Sequence, residues 1–196
     1  MTTTLIRTSL DGKHDLEQIV KSMVLAFSTD PLLRWIYPSE EQYVASFPGL
    51  VKLLASDNRL SIYYAKDYAG AAFWLSPGIE LDQDVFAAYM KKTVLPQDLE
   101  KVATVFEQLN QAHPQAPHWY LALLGVEPSK QGEGYGSALI QSALRECDLF
   151  NQIAYLETCN PKSAAFYERH GFEIQETIQI EDCPVIFPMV RYPKSI

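Results

Sequence analysis

The segment GVEPSKQGEGYGSALI, residues 125–140, joins an apolar run to an amphipathic one through three closely spaced glycines. Before it, HWYLALLGV (118–126) is almost continuously apolar, as in a strand buried inside a sheet. Pro128 stops that strand from pairing further. After it, Ile140, Ala143, Leu144 and Cys147 share one face of a predicted helix, with Gln141, Arg145 and Asp148 on another. Gly132, Gly134 and Gly136 permit unusual backbone angles and close approach, so several N–H groups can converge on one anion. A helix N-terminus adds about half a positive charge. Such a loop cradles a phosphate or pyrophosphate with few basic side chains. The plain alternative is a tight strand-to-helix turn. A P-loop requires Gly-Lys-Ser/Thr, which Gly136-Ser137-Ala138 does not supply. Glu157 keeps a dinucleotide-binding reading open on spacing. The preceding 117 residues, with a hairpin and several helices, fit that reading poorly.

Downstream, QIAYLET (152–158) reads as the next strand. Asn160 suits an N-cap and Pro161 the first helical position of a short helix running to His170, closed by Gly171. FEIQETIQI and VIFPMVRY supply two last strands, Pro188 pushing the second towards a sheet edge. Upstream, residues 3–8 suit a first strand, and Leu16, Ile19, Val20, Met23 and Phe27 recur at helical spacing. Asp30-Pro31 breaks that helix, and LLRWIYP follows as a short aromatic segment. A helix over 40–56 carries Pro48-Gly49, which predicts a kink or two pieces. RLSIYYA (59–65) and YAGAAFWL (68–75) form a hairpin. A helical region spans about 82–111, with an apolar stripe of Leu99, Val102, Ala103, Phe106 and Leu109. The pattern is mixed α/β without regular βα units.

The chain has 196 residues, 47% of them hydrophobic and 20% charged, which suits one domain with a substantial core. A formal net charge of −8 argues against a general nucleic-acid binder and an anionic membrane surface, and favours a cationic substrate. Cys147, Cys159 and Cys183 form no CxxC pair, so neither a disulfide scaffold nor a structural zinc site is expected. With no long apolar run and no leader apparent, the expectation is a soluble, cytoplasmic protein.

Val126-x-Pro128-x-x-Gln131-Gly132-x-Gly134-Tyr135-Gly136 resembles the acetyl-CoA signature Q/R-x-x-G-x-G/A of the GNAT superfamily of N-acetyltransferases. Leu156-Glu157-Thr158-Cys159-Asn160-Pro161 and Ala165-Phe166-Tyr167-Glu168-Arg169-His170-Gly171-Phe172 are similar to that family's second cofactor segment. With His118-Trp119-Tyr120-Leu121 in front, the wording looks closest to the puromycin N-acetyltransferase branch over 118–176. The resemblance implies an α/β (α+β) fold: a mostly antiparallel sheet of six to seven strands flanked by helices, splayed between strands 4 and 5. It implies one N-acetyltransferase domain over 1–196, with the acceptor pocket in 1–117, the acetyl-CoA core in 118–176 and closing strands in 177–196.

Carried over residue by residue, the resemblance puts the CoA pyrophosphate on backbone N–H groups of Gln131, Gly132, Glu133, Gly134, Tyr135, Gly136 and Ser137. It aligns Leu124, Gly125 and Val126 with the pantetheine arm, Gly125 accommodating a bulge. Asn160 matches a pantetheine-bonding position and also suits the helix cap. Tyr167 matches the acid that protonates the departing thiolate, with Ala164 and Ala165 leaving room for the thioester. A phenol, protonated at pH 7, suits that role. Glu133 stands where many relatives carry a basic residue, which should weaken phosphate affinity unless it points to solvent. His118, Glu80 and Glu127 are candidates for the general base, and no motif chooses among them. Trp35, Tyr37, Tyr43, Trp74 and Trp119 could line an aromatic acceptor pocket. Cys159 reads as a small buried residue near the thioester. The expected function is acetyl transfer from acetyl-CoA, without a metal, to an amine of a small molecule or peptide. The protein acting so is expected as a monomer or homodimer. A non-catalytic acyl-CoA sensor is the alternative.

Overall fold

The computed structural model describes residues 6, 7, 10 and 12–194. The chain order is β1 (Ile6–Arg7), α1 (Lys13–Ala26), α2 (Pro31–Ile36), α3 (Glu40–Ser56), β2 (Leu60–Ala65), β3 (Gly70–Leu75), α4 (Gln83–Thr93) and α5 (Leu99–Ala112). Then come β4 (His118–Val126), a 3-10 turn (Pro128–Lys130), α6 (Tyr135–Leu149), β5 (Ile153–Thr158), α7 (Pro161–Glu168), β6 (Glu173–Ile174) and β7 (Phe187–Arg191). Seven strands form one sheet in the order β1-β2-β3-β4-β5-β7-β6. Among the described residues only β4 and β5 pair in parallel, and only over His118–Tyr120 and Ile153–Tyr155. Beyond that point β4 has, among the described residues, a partner on one edge alone, namely β3. This is the mixed, mostly antiparallel, splayed sheet expected from the sequence. Residues 3–5 and 8 of the expected first strand lie outside the described residues.

The two faces of the sheet bury different cores. On one side α1, α2 and α3 pack Ile19, Met23, Ile36, Phe47 and Val51 against Tyr64, Ala71 and Phe73. On the other, α6 and α7 pack Leu139, Ile140, Ala143, Ala164 and Tyr167 against Trp74, Trp119, Leu121 and Leu156. Strand alternation sends neighbouring side chains to opposite faces. Along β4 the register slips between Leu121 and Leu123, so Ala122 is an extra residue. Ala122 and Leu123 therefore both face the α1–α3 side. The bulge thus sits at Ala122, not Gly125. Gly125 pairs regularly with Ala71. It must be glycine because a Cβ would stand 2.9 Å from Ala26 Cβ and Phe27 Cε2.

The structure refines or corrects four local expectations. LLRWIYP is mostly helical: Asp30 Oδ1 accepts the Leu33 N–H at 3.0 Å and caps α2. Helix α3 runs unbroken through Pro48, and the Tyr89 hydroxyl donates to the Ser46 carbonyl at 2.5 Å across the space left by Gly49. In α5 the buried stripe is Val102, Val105 and Leu109, while Ala103 is exposed. Strand β7 is interior, and β6 is the edge. Pro188 causes this arrangement to stop rather than to invert. Its carbonyl accepts the Gln175 N–H at 2.9 Å, but it has no N–H to return, so β6 ends at Ile174.

Candidate active site

The glycine loop closes onto α6 through Gly134, which is left-handed with φ 91° and ψ −1°. Gly132 shares that handedness at φ 82°, and nothing lies within 4 Å of where a Cβ of either would sit. Gln131, Gly132, Glu133 and Gly134 are exposed, so the Glu133 carboxylate stands in solvent. Three side-chain bonds hold the loop. Gln131 Nε2 donates to the Val126 carbonyl at 3.1 Å. Tyr135 Oη donates to Asp67 Oδ2 at 2.5 Å, and Ser137 Oγ meets His170 Nε2 at 3.1 Å. That last contact ties the start of α6 to the end of α7. A Cβ on Gly136 would press on Phe166 at 3.3 Å, so glycine also lets α7 approach. The open cradle, the α6 N-terminus and the unpaired edge of β4 fit an acyl-CoA: pyrophosphate on the first two, pantetheine along the third.

Asn160 caps α7, its Oδ1 accepting the Lys162 N–H at 2.9 Å. Helical geometry then turns Ser163 and Tyr167, four residues apart, towards one cavity. Ala164 is buried in the same core cluster as Tyr167, and Ala165 is exposed. Tyr167 is 7% exposed. Burial, followed by the charge of Asp30, pushes its phenol above the ordinary value, so it is protonated at neutral pH. Cys159 lines the same cavity, and burial likewise raises its thiol, leaving it un-ionised and inert.

The cavity holds about 720 Å³. Its walls are apolar for most of their extent, with Leu33, Ile36, Phe47, Leu50, Phe86 and Phe106 among them. Leu124 of the β4 edge lies on it, together with three carboxylates, Asp30, Glu80 and Glu157. Of the five aromatics expected to line an acceptor pocket, only Tyr37 does. Trp74 and Trp119 meet edge to face on the α6 side, with ring centroids 6.4 Å apart. Trp119 Nε1 donates to Gln152 Oε1 at 2.8 Å. Tyr43 is buried in the α1–α3 core, donating to the Val24 carbonyl at 2.7 Å, and Trp35 packs partly buried against neighbouring side chains. The lining aromatics that sequence reading missed are Phe27 at the end of α1, Phe47 of α3, Phe86 of α4, Phe106 of α5 and Tyr120 on the opposite face of β4.

His118 and Glu80 reach the cavity, and Glu127 does not: it accepts from Ser129 Oγ at 2.7 Å in the turn after β4. Two further residues enter here that the motifs did not single out for chemistry. His113 Nδ1 stands 3.0 Å from His118 Nε2, and His113 Nε2 stands 3.2 Å from Glu157 Oε1. His118 Nδ1 lies 2.8 Å from the Ala116 carbonyl. Burial lowers the His118 imidazole below its ordinary value, so it is neutral at pH 7. Burial, and then the Glu157 carboxylate, push the phenols of Tyr120 and Tyr155 far upward. The available signal was an acid inside an otherwise apolar strand, LET at 156–158, on the face shared with Tyr155.

Residues 85–174 match the family model of the acetyltransferase (GNAT) domain. That stretch is similar to a GNAT acetyltransferase domain. The match supports an acetyl-CoA-dependent acetyltransferase, and acetyl-CoA is the acyl donor the matched family uses. The chain is 24% identical over 200 residues to an uncharacterized N-acetyltransferase of Schizosaccharomyces pombe, covering 92% of this chain and 81% of the relative. A Corynebacterium glutamicum structure described as histone acetyltransferase HPA2 and related acetyltransferase shares its fold. The TM-score there is 0.73 at 23% identity, covering 100% of this chain and 99% of the other. A mosquito arylalkylamine N-acetyltransferase like 5b aligns with TM-score 0.64 at 14% identity, over 97% and 100% of the two chains. Among the described residues, no helix is long and apolar enough to cross a membrane. No cluster of three or more His, Cys, Asp or Glu side chains among them could hold a metal ion.

Proposed function

We propose that the domain moves the acetyl group of acetyl-CoA to a primary amine of a small molecule or peptide by direct attack in a ternary complex. The observation that carries this reading is a single cavity bounded by the free edge of β4, by the Tyr167 phenol and by carboxylates. In this reading donor and acceptor share that one cavity, as direct transfer requires. The wording of 118–176, similar to the puromycin N-acetyltransferase branch, supports a small-molecule acceptor.

In this reading Gln131 to Ser137 hold the pyrophosphate through backbone N–H groups, and Leu124, Gly125 and Val126 align the pantetheine. Backbone N–H near Val126 polarises the thioester carbonyl. The C–N bond forms as the C–S bond breaks, and Tyr167 gives its proton to the departing sulfur. The proton that nitrogen sheds on becoming an amide restores Tyr167 through solvent. The same reading takes residues 1–196 as one catalytic unit, a monomer or homodimer in a reducing aqueous compartment. The free, buried state of Cys147, Cys159 and Cys183 supports that compartment.

The test is mass spectrometry of a pooled panel of aminonucleosides, polyamines, arylalkylamines, amino acids and short peptides incubated with acetyl-CoA. A product about 42 Da heavier, the mass of C₂H₂O, that fades in Tyr167→Phe supports the reading. Acetyl-CoA binding with no product from any amine favours an acyl-CoA sensor.

A further inference from the structure

The two nitrogens of one imidazole tie the end of α7 to the start of the glycine cradle. His170 Nδ1 lies 2.9 Å from the Phe166 carbonyl, and His170 Nε2 lies 3.1 Å from Ser137 Oγ. The carbonyl can only accept, so Nδ1 carries a hydrogen in either charge state of the ring. In the neutral ring Nε2 is then bare, and the Ser137 hydroxyl must donate to it. That commits the hydroxyl's single hydrogen away from the cradle. In the charged ring Nε2 carries a hydrogen too, donates to Ser137 Oγ and leaves the hydroxyl's own hydrogen free. Ser137 stands where a ligand would feel the difference. The first intrahelical bond of α6 runs from the Ala138 N–H to the Gly134 carbonyl at 3.0 Å, so the N–H groups of Tyr135, Gly136 and Ser137 point out of the helix.

We infer that His170 is a positioning residue for the coenzyme: as the pyrophosphate docks, its Nε2 takes a proton from solvent, and the Ser137 hydroxyl turns its hydrogen to a phosphate oxygen. The inference rests on the cradle reading proposed above and adds to it a group from another element. No covalent bond between heavy atoms changes; one proton passes from water or buffer to Nε2. The cradle gains a donor and a nearby positive charge as a negative ligand arrives. Imidazole suits the task because it is the side chain that exchanges a proton near neutral pH. The ring lies at the carbonyl end of α7, where a cation is favoured, 4.5 Å from the Phe166 ring between centroids. The charged groups around it are of kinds that hold their charge near neutral pH. From β7, Arg191 Nε donates to the His170 carbonyl at 3.1 Å, and its Nη2 pairs with Asp148 of α6 at 2.8 Å. Lys194 Nζ lies 3.7 Å from where a Gly171 Cβ would stand. Arg169, the C-cap of α7, donates to the Ala165 carbonyl at 2.9 Å. Glu133 of the loop, Glu168 of α7 and Glu173 of β6 are exposed. Among these groups His170 is the one that answers an incoming anion by changing its charge.

Titration calorimetry with acetyl-CoA tests this on the wild type and His170→Gln between pH 6 and pH 8. The other histidines and the 3′-phosphate of the ligand exchange protons in both proteins alike, so the ratio of the two affinities isolates His170. That ratio, wild type over variant, should rise about fivefold as pH falls from 8 to 6, because a group charged in the complex and neutral without it favours binding at the acid end. Wild-type titrations in two buffers of different ionisation enthalpy should also show an uptake of protons that His170→Gln lacks. A ratio independent of pH overturns the inference and leaves the pair as a structural tie. If His170→Gln does not fold, Ser137→Ala carries the test, since it keeps the imidazole and removes only the hydroxyl. It should weaken acetyl-CoA binding about fivefold at pH 6 and less than twofold at pH 8. An equal loss at both overturns the inference. A wild-type protein that binds no acetyl-CoA at any pH overturns the cradle reading itself, and the inference with it.

Discussion

Tyr120 opposite Tyr155 is the last rung between β4 and β5. One residue further along β5 the strands have parted, and by Glu157 that strand pairs only with β7, through Pro188. The splay and the carboxylate are thus set by one feature, the end of a three-residue parallel ladder. Alternation then places His118, Tyr120, Tyr155 and Glu157 on the face that carries the cavity.

Tyr167→Phe removes the proton donor and little packing, because the ring keeps its edge contacts with Phe166 and Phe172 at 5.2 and 5.9 Å. We expect kcat to fall about 100-fold, the lower end for loss of a general acid. Acetyl-CoA affinity by calorimetry should stay within twofold. An unchanged kcat removes Tyr167 from the chemistry.

Gly134→Ala places a side chain at φ 91°, where no neighbour obstructs it but the backbone is strained by roughly 1–2 kcal/mol. The loop should shift to relieve that strain, and acetyl-CoA affinity should weaken by about tenfold. The melting temperature, read beside it, should change little. Equal affinity would show that the cradle does not need this backbone angle.

Gly125→Ala tests the packing explanation of the second glycine. Its new Cβ would meet Ala26, Phe27 and Met23 at 2.9 to 3.0 Å, all within the α1 contact with β4. Overpacking of this kind costs about 1–3 kcal/mol. Thermal unfolding should move down by roughly 2–10 °C for a domain this size.

Phe106→Ala should raise the KM for the acceptor about tenfold, while Trp119→Phe should leave it within twofold. Phe106 lines the cavity, and Trp119 lies on the far face with its Nε1 bound to Gln152. Steady-state kinetics on whichever amine the panel selects decides this. An acceptor KM that responds to Trp119 would put the acceptor on the α6 side.

Arg191, 2% exposed, donates to Asp148 Oδ2 at 2.8 Å and holds that carboxyl below its ordinary value. A depressed carboxyl contributes stability that is complete above the unfolded value, near pH 4, and is lost as pH falls through the folded value. The melting temperature of Asp148→Asn should therefore lie below wild type at pH 7. The gap should close as both are acidified below about pH 4. A gap independent of pH would assign the effect to packing.

Where the chemistry of a segment is local, the sequence alone determined it. The β4 run, the glycine turn into α6, the Asn160 cap and the Gly171 stop, at φ 88°, follow from apolar period, capping oxygen and left-handed backbone. Those elements place the donor cradle and Tyr167. What lines the cavity was decided only by tertiary structure. The Ala122 bulge determines which way β4 side chains point, and it comes from pairing with β3 rather than from any local signal. Trp74 and Trp119 therefore look like pocket residues in a linear reading and lie on the wrong face. His113 and Glu157 belong to separate elements with α6 between them in the chain, so their 3.2 Å approach exists only once the sheet has assembled. Pro188 reads as an edge signal because it lacks an N–H, yet β7 takes an interior place because its missing donor faces the side where β6 stops. Local sequence specifies which backbone a segment prefers, whereas the face it presents depends on the register of strands distant in the chain.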